Sequence, residues 1–213
     1  CWQPRRFAAY GSADGLPDND IRVVYPARDG GIWIGTERGV ALWRDGLVIR
    51  RPIGPNLYDR RVRSIHEDPD GALWIGTMDS LERWHEGQRV AYRWSDRPDG
   101  NRIRVINADR TGTVWIGHAQ GLARWSEGRF AHFSTADGLP HNDVRAILED
   151  RSGRLWLGTF GAGLCSIDRA PQLRVQSLLC ARDGLSDNHI SVLYEDSQGV
   201  LWAGTPKGLN RIE

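Results

Sequence analysis

The chain has 213 residues, a net charge of +1 from 28 Lys and Arg against 27 Asp and Glu, and 40% hydrophobic residues. That balance is ordinary for a globular chain, and it leaves no basic footprint for nucleic acid or for an anionic membrane surface. No apolar run approaches the roughly 18 residues of a membrane-spanning helix. Ten Trp and 25 Gly beside one Met point instead to short strands, tight turns and large packed rings.

In chain order, Arg6-Phe7-Ala8-Ala9-Tyr10 reads as a short alternating strand, and Gly11-Ser12-Ala13-Asp14-Gly15-Leu16-Pro17-Asp18-Asn19-Asp20 follows as a connector. The same run returns from Arg129 to Asp143, offset by 123 residues. Between and beyond these copies a second motif recurs: Trp33-Ile34-Gly35-Thr36, Trp74-Ile75-Gly76-Thr77, Trp115-Ile116-Gly117-His118, Trp156-Leu157-Gly158-Thr159 and Trp202-Ala203-Gly204-Thr205. The Trp spacings are 41, 41, 41 and 46, which makes the chain a repeat array of five units.

Each unit keeps phase with its Trp. An alternating apolar segment, such as Val144–Glu149 or Ile190–Glu195, runs into an Asp-x-x-Gly turn three residues ahead of the Trp. The aspartates are Asp68, Asp109, Asp150 and Asp196, with Ala27 the exception. Asp caps such a turn and Gly supplies its positive φ. After the Trp strand come a turn at Gly39, Ser80, Gly121, Gly163 or Gly208, a third strand ending at Trp43, Trp84, Trp125, Ile167 or Ile212, and a fourth strand such as Arg129–Phe133. Four short strands per repeat and no helical periodicity predict an all-β fold: a β-propeller of four-stranded antiparallel blades in five repeats, spanning residues 1–213. The chain begins on a fourth strand and ends after a third. The terminal strands are thus in phase either to close a ring of five blades or to end an arc of a longer propeller.

With these motifs assembled, the chain resembles the two-component regulator propeller repeat. The resemblance rests on Asp14-Gly15-Leu16-Pro17-Asp18-Asn19, Asp137-Gly138-Leu139-Pro140-His141-Asn142 and Asp183-Gly184-Leu185-Ser186-Asp187-Asn188, followed by the Asp-x-x-Gly-x-x-Trp-x-Gly-Thr pattern. Two connectors, Ile53–Tyr58 and Ser95–Asn101, depart from it. The resemblance implies a periplasmic or extracytoplasmic sensing propeller of a bacterial histidine kinase, hybrid sensor or diguanylate cyclase. It implies a ligand-sensing, non-catalytic role without a cofactor. The implied partners are an extracellular ligand of glycan or peptide type, other propeller or β-sandwich domains of the same polypeptide, and a second copy in a homodimer. The alternatives are a protein–protein interaction scaffold without a small ligand, and a propeller lyase or glycosidase.

Catalytic and metal motifs are missing from the sequence. The six histidines occupy unlike positions and make no ligand spacing, no Gly-rich loop precedes a helix, and the recurring pairs Glu149-Asp150 and Glu195-Asp196 are what turns predict. Cys165 and Cys180 flank one hairpin, so they either pair in an oxidising compartment or stay free thiols. Cys1 reads as a lipidated first residue or a boundary. A ligand-contacting residue should break the repeat, because residues that build every blade recur. On that criterion the turns between second and third strands nominate Glu37, Arg38, Met78, Asp79, His118, Gln120, Phe160 and Lys207. Asn19, Asn142 and Asn188 recur in the connectors; they read as loop-shaping residues first and site residues second.

Overall fold

A computed structural model describes residues 7–49, 60–97, 100–168 and 174–212. The fold is all-β, with five antiparallel sheets of propeller-blade type. Blade 1 comprises β1 (Ile21–Pro26), β2 (Ile32–Thr36), β3 (Gly39–Arg44) and β4 (Leu47–Ile49). Blade 2 comprises β5 (Val62–Glu67), β6 (Leu73–Thr77), β7 (Leu81–His85) and β8 (Gln88–Tyr92). Blade 3 comprises β9 (Ile103–Ala108), β10 (Val114–His118), β11 (Gly121–Ser126) and β12 (Arg129–Phe133). Blade 4 comprises β13 (Val144–Glu149), β14 (Leu155–Thr159), β15 (Leu164–Ile167) and β16 (Val175–Leu179). Blade 5 has three strands, β17 (Val192–Glu195), β18 (Leu201–Thr205) and β19 (Gly208–Ile212). The described residues fall into two compact units, one up to Val62 and the other from Arg63 onward.

The expected first strand is not formed. Phe7–Tyr10 carries no strand, although Tyr10 meets Trp43 edge to face at 5.9 Å. Arg6, Cys1 and the connector at 53–58 lie outside the described residues. Cys165 and Cys180 are free thiols, not a bridge. Cys165 is buried, and its thiol is pushed up to about 12 by desolvation. Cys180 donates to Asp183 Oδ2 at 3.1 Å.

The six-residue interval from Asp to Trp has a direct cause. In four blades one carboxylate oxygen caps the turn while the other accepts the indole N–H: Trp74 to Asp68 at 2.9 Å, Trp115 to Asp109 at 2.9 Å, Trp156 to Asp150 at 2.8 Å and Trp202 to Asp196 at 2.8 Å. The capping oxygen accepts from the residue after the turn glycine, as Ala72 N donates to Asp68 Oδ1 at 2.8 Å. An indole can therefore be buried, as Trp74 and Trp115 are, without an orphaned donor. The turn glycines Gly71, Gly112 and Gly153 sit at φ 80–86°, where a Cβ is strained.

The glycine inside Trp-x-Gly-Thr answers a different need. A Cβ on Gly76 would stand 2.4 Å from Ile103 Cγ2, and one on Gly158 would stand 2.5 Å from Ile190 Cγ2. In each case the first apolar residue of the following blade packs directly onto the glycine backbone. Ile103, Val144 and Ile190 are fully buried there. The seams between blades 2 to 5 are thus made by close backbone approach.

The connectors are built alike. Ser12–Asp14, Thr135–Asp137 and Ala181–Asp183 form single 3₁₀ turns. Asp14, Asp137 and Asp183 accept from the backbone N–H three residues earlier at 2.8–2.9 Å. Asn19, Asn142 and Asn188 accept from Ser12 N, Thr135 N and Ala181 N at 2.7–2.8 Å. Leu16, Leu139 and Leu185 plug the core. Asn101 does the same work in the divergent third connector, accepting from Trp94 N at 2.7 Å and Ser95 N at 3.0 Å.

Candidate functional site

The turn after each Trp strand is closed by its Thr. Thr36, Thr77, Thr159 and Thr205 donate their hydroxyls to the carbonyls of Gly39, Ser80, Gly163 and Gly208 at 2.9–3.1 Å. His118, the substitute in blade 3, accepts instead: its Nδ1 takes Trp94 Nε1–H at 3.2 Å and Gln120 N–H at 3.3 Å. This fixes its tautomer with the proton on Nε2. Burial, reinforced by His132 and opposed by Asp143, pushes His118 down to about 3. It is a neutral ring filling the turn, not an exposed contact.

The first strand of a blade carries the second ingredient. Ladder register slips at Gly117/His118 against β9 and at Val144/Ala146 in β13, so Arg104 and Arg145 are the extra residues of β-bulges, which re-aim a side chain at a strand end. The two guanidiniums share one carboxylate. Arg104 Nε and Nη2 donate to the two oxygens of Asp143 at 2.9 and 2.8 Å, and Arg145 Nη2 donates to Asp143 Oδ2 at 3.2 Å. Arg145 also lies over the Phe160 ring, 4.0 Å from its centroid, and meets His189 Nε2 at 3.1 Å. Phe160 is 46% exposed and packs edge-on against His189 at 4.6 Å, with His141 6.4 Å away. Burial and then Arg145 hold His189 below the usual histidine range, so it is neutral near pH 7. Two cations and one anion leave this rim one positive charge in excess, beside a half-exposed aromatic face. Such an arrangement can stack a flat apolar group and pair an anionic one.

The expected site residues separate on this geometry. Phe160 stands at the centre of the cluster. Lys207 pairs with Asp187 at 2.8 Å, and Asp187 Oδ1 accepts from His189 N at 2.8 Å, which links Lys207 to the same rim. Asp79 is exposed and lines a cleft with Arg93, Trp94, Ser95 and Asn101, and Met78 beside it is half-buried. Gln120 Nε2 reaches Ser95 Oγ at 3.3 Å. In the first unit, Glu37 is held by Arg22 and by Arg61, the latter at 2.7 Å, and Arg38 N donates to the Thr36 clamp at 3.1 Å. The asparagines shape connectors, as above. Sequence reasoning missed Arg104, Asp143 and Arg145. Arg recurs as the second residue of the first strand in four blades (Arg22, Arg63, Arg104, Arg145), and Ser191 holds the matching sequence position just ahead of β17 in the fifth. A search for repeat-breaking residues passes over it.

The two component regulator propeller repeat matches residues 15–38, 59–79, 138–161 and 184–207. No curated protein sequence matches the chain. Among solved structures, the extracellular domain of a hybrid two component system from B. thetaiotaomicron superposes with a TM-score of 0.80 at 25% identity. The superposition covers 93% of this chain and 27% of that one, so the chain spans about a quarter of that protein domain's length. Virginiamycin B lyase from Staphylococcus aureus superposes with a TM-score of 0.69 at 14% identity, covering 93% of this chain and 71% of the lyase. A second extracellular domain from B. thetaiotaomicron gives 0.55 at 21% identity, over 99% of this chain and 36% of that chain. At 14% and 21% identity the likeness is one of fold.

Proposed function

We propose, from the premise that the chain is built of two-component regulator propeller repeats, that it is an extracytoplasmic recognition module of a signalling protein, non-catalytic in itself, and that it reads its ligand on the Arg145–Phe160 rim. The observation that carries this reading is the meeting of Arg104, Asp143, Arg145, Phe160 and His189, drawn from blades 3, 4 and 5. A structural ion pair would not need a half-exposed ring laid under one of its guanidiniums. The 25% identity to an extracellular domain of a hybrid two component system supports the sensory role. No helix among the described residues is long and apolar enough to cross a membrane, and an extracytoplasmic place agrees with that relative.

The test is binding of the chain to arrays of glycans and peptides, repeated with the triple variant R145Q/F160A/K207A. The expected result is retention of at least one ligand class by the native chain and its loss in the variant. Retention of the same ligand with unchanged strength by the variant overturns the site. A chain that ignores every small ligand and holds only another protein supports the scaffold reading.

A further inference from the structure

The seams between blades 3 and 4 and between blades 4 and 5 carry a clasp. Arg110 Nη1 and Nη2 donate to the carbonyls of Arg151 and Asp150 at 2.9 and 2.6 Å, and Arg110 N donates to Glu149 Oε2 at 2.6 Å. One blade on, Arg151 Nη1 donates to Ser197 O at 2.6 Å, and Arg151 N donates to the Glu195 carboxylate at 2.9 Å. Each clasp needs an Arg after the turn aspartate and a Glu just before the turn aspartate of the following blade. At the seam between blades 2 and 3 both halves are replaced together. Pro69 stands for the Arg, with neither guanidinium nor N–H, and Ala108 stands for the Glu. A cavity of about 870 Å³ opens there, within the size of small-molecule sites.

The cavity's lining has a consistent chemistry. Arg83 projects from β7 against the indoles of Trp74 and Trp125, 5.5 and 5.8 Å from their centroids. Among the described residues it makes no hydrogen bond or ion pair, and its Nε is buried without a partner. A guanidinium set beside two indoles, with an Nε that no protein acceptor meets, is a receptor for a carboxylate. The oxygens of Asp68, which precedes Pro69, accept from Ala72 N and Trp74 Nε1. Asp70 and Glu127 lie exposed at the mouth and make no ion pair among the described residues, which suits a cationic group. Trp125, Pro69 and Val114 supply an apolar wall between them.

We propose that this seam is a binding site for a small zwitterion with an apolar side group, of the free amino-acid or short-peptide class. Its carboxylate sits on Arg83, its ammonium faces Asp70 and Glu127, and its side group lies on Trp125. The site is separate from the Arg145–Phe160 rim and stands or falls independently of it.

The test titrates the whole chain calorimetrically with three probes: phenylalanine, phenylalaninamide and N-acetylphenylalanine. Phenylalanine should bind, and the amide and the acetyl derivative should each bind about tenfold or more weakly, since each leaves one charge pair unmade. R83Q should abolish the preference for phenylalanine over its amide. The double variant P69R/A108E restores the clasp residues and should close the cavity, abolishing binding while leaving thermal stability equal or higher. Because that variant needs no deletion of a packed side chain, it decides the matter should R83Q fail to fold. The proposal is overturned if phenylalanine does not bind, if all three probes bind alike, or if P69R/A108E binds phenylalanine as well as the native chain.

Discussion

Gly158 and Ile190 face each other across the seam between blades 4 and 5 so closely that a Cβ on the glycine would stand 2.5 Å from Ile190 Cγ2. Ile190 is fully buried and cannot retreat without displacing its neighbours. G158A should therefore destabilise the chain by about 1–3 kcal/mol through overpacking. Chemical denaturation reads the loss, and G158A should cost less in an I190A background, which lacks the γ carbons, than in the native chain. Strict additivity of the two substitutions would mean that the contact is not what the glycine serves.

The Asp–Trp pairs make a second, chemical prediction. D109A removes at one stroke the acceptor for the Trp115 indole at 2.9 Å and for Thr113 N at 3.2 Å. Trp115 is 2% exposed, so water cannot replace the carboxylate, and the expected cost is about 1–3 kcal/mol or somewhat more. D109N, which keeps one oxygen, should cost less. Burial alone would raise this carboxyl, but the hydrogen bonds from Thr111 and Trp115 outweigh it and hold it below the usual range. Asp196 is lowered first by its bond from Trp202. Groups depressed in the folded state contribute stability above the unfolded carboxylate range. That stability is lost as pH falls through the folded values, so acid melts of D109N should flatten relative to the native chain.

His118 should impose acid sensitivity at a higher pH. Its folded value is about 3 against 6.5 for a free histidine, so it stays neutral while the unfolded chain takes up a proton. The stability it contributes is whole above pH 6.5 and declines as pH falls toward 3. H118T installs the clamp residue of the other blades and leaves nothing there to titrate. Melting temperatures recorded from about pH 7 to pH 4 should fall more steeply for the native chain than for H118T. Equal slopes would place the titration elsewhere, in His66 or His132, both also lowered by burial.

Most of this fold is legible in the sequence because each motif residue answers a backbone demand that recurs in every blade. The six-residue step from Asp109 to Trp115 can be read from spacing alone, and so can the connector aspartates and asparagines. Phe7–Tyr10 matches Phe130–Phe133 closely in sequence yet forms no strand. A strand needs a partner edge as well as a pattern, and pattern is all that similarity to β12 conveys. The site is legible only by half. Phe160 breaks the repeat, and the sequence nominates it as a candidate on that ground. Arg104 and Arg145 belong to a recurring column, and their special role comes from the bulge and from Asp143, whose counterparts in blades 2 and 3 are Arg61 and Arg102. What distinguishes them is a relation between blades, which a search along one repeat does not weigh.

That relation can be tested through Asp143 itself. The carboxylate serves Arg104 and Arg145 together at 2.8–3.2 Å, with side-chain exposures of 17% and 24%. D143A leaves two partly buried guanidiniums facing one another, and the charge excess on the rim rises from one to two. The melting temperature should fall, by the equivalent of about 2–4 kcal/mol, because an unpaired charge is costlier than an absent pair. Added sulfate should then restore stability more than sodium chloride of equal ionic strength, since a bound oxyanion can occupy the place of the lost carboxylate while screening alone cannot. The native chain, whose pair is intact, should show the smaller difference between the two salts. If D143A responds to sulfate and chloride alike, the rim does not concentrate positive charge, and the anion-pairing chemistry assigned to Arg145 and Phe160 fails with it.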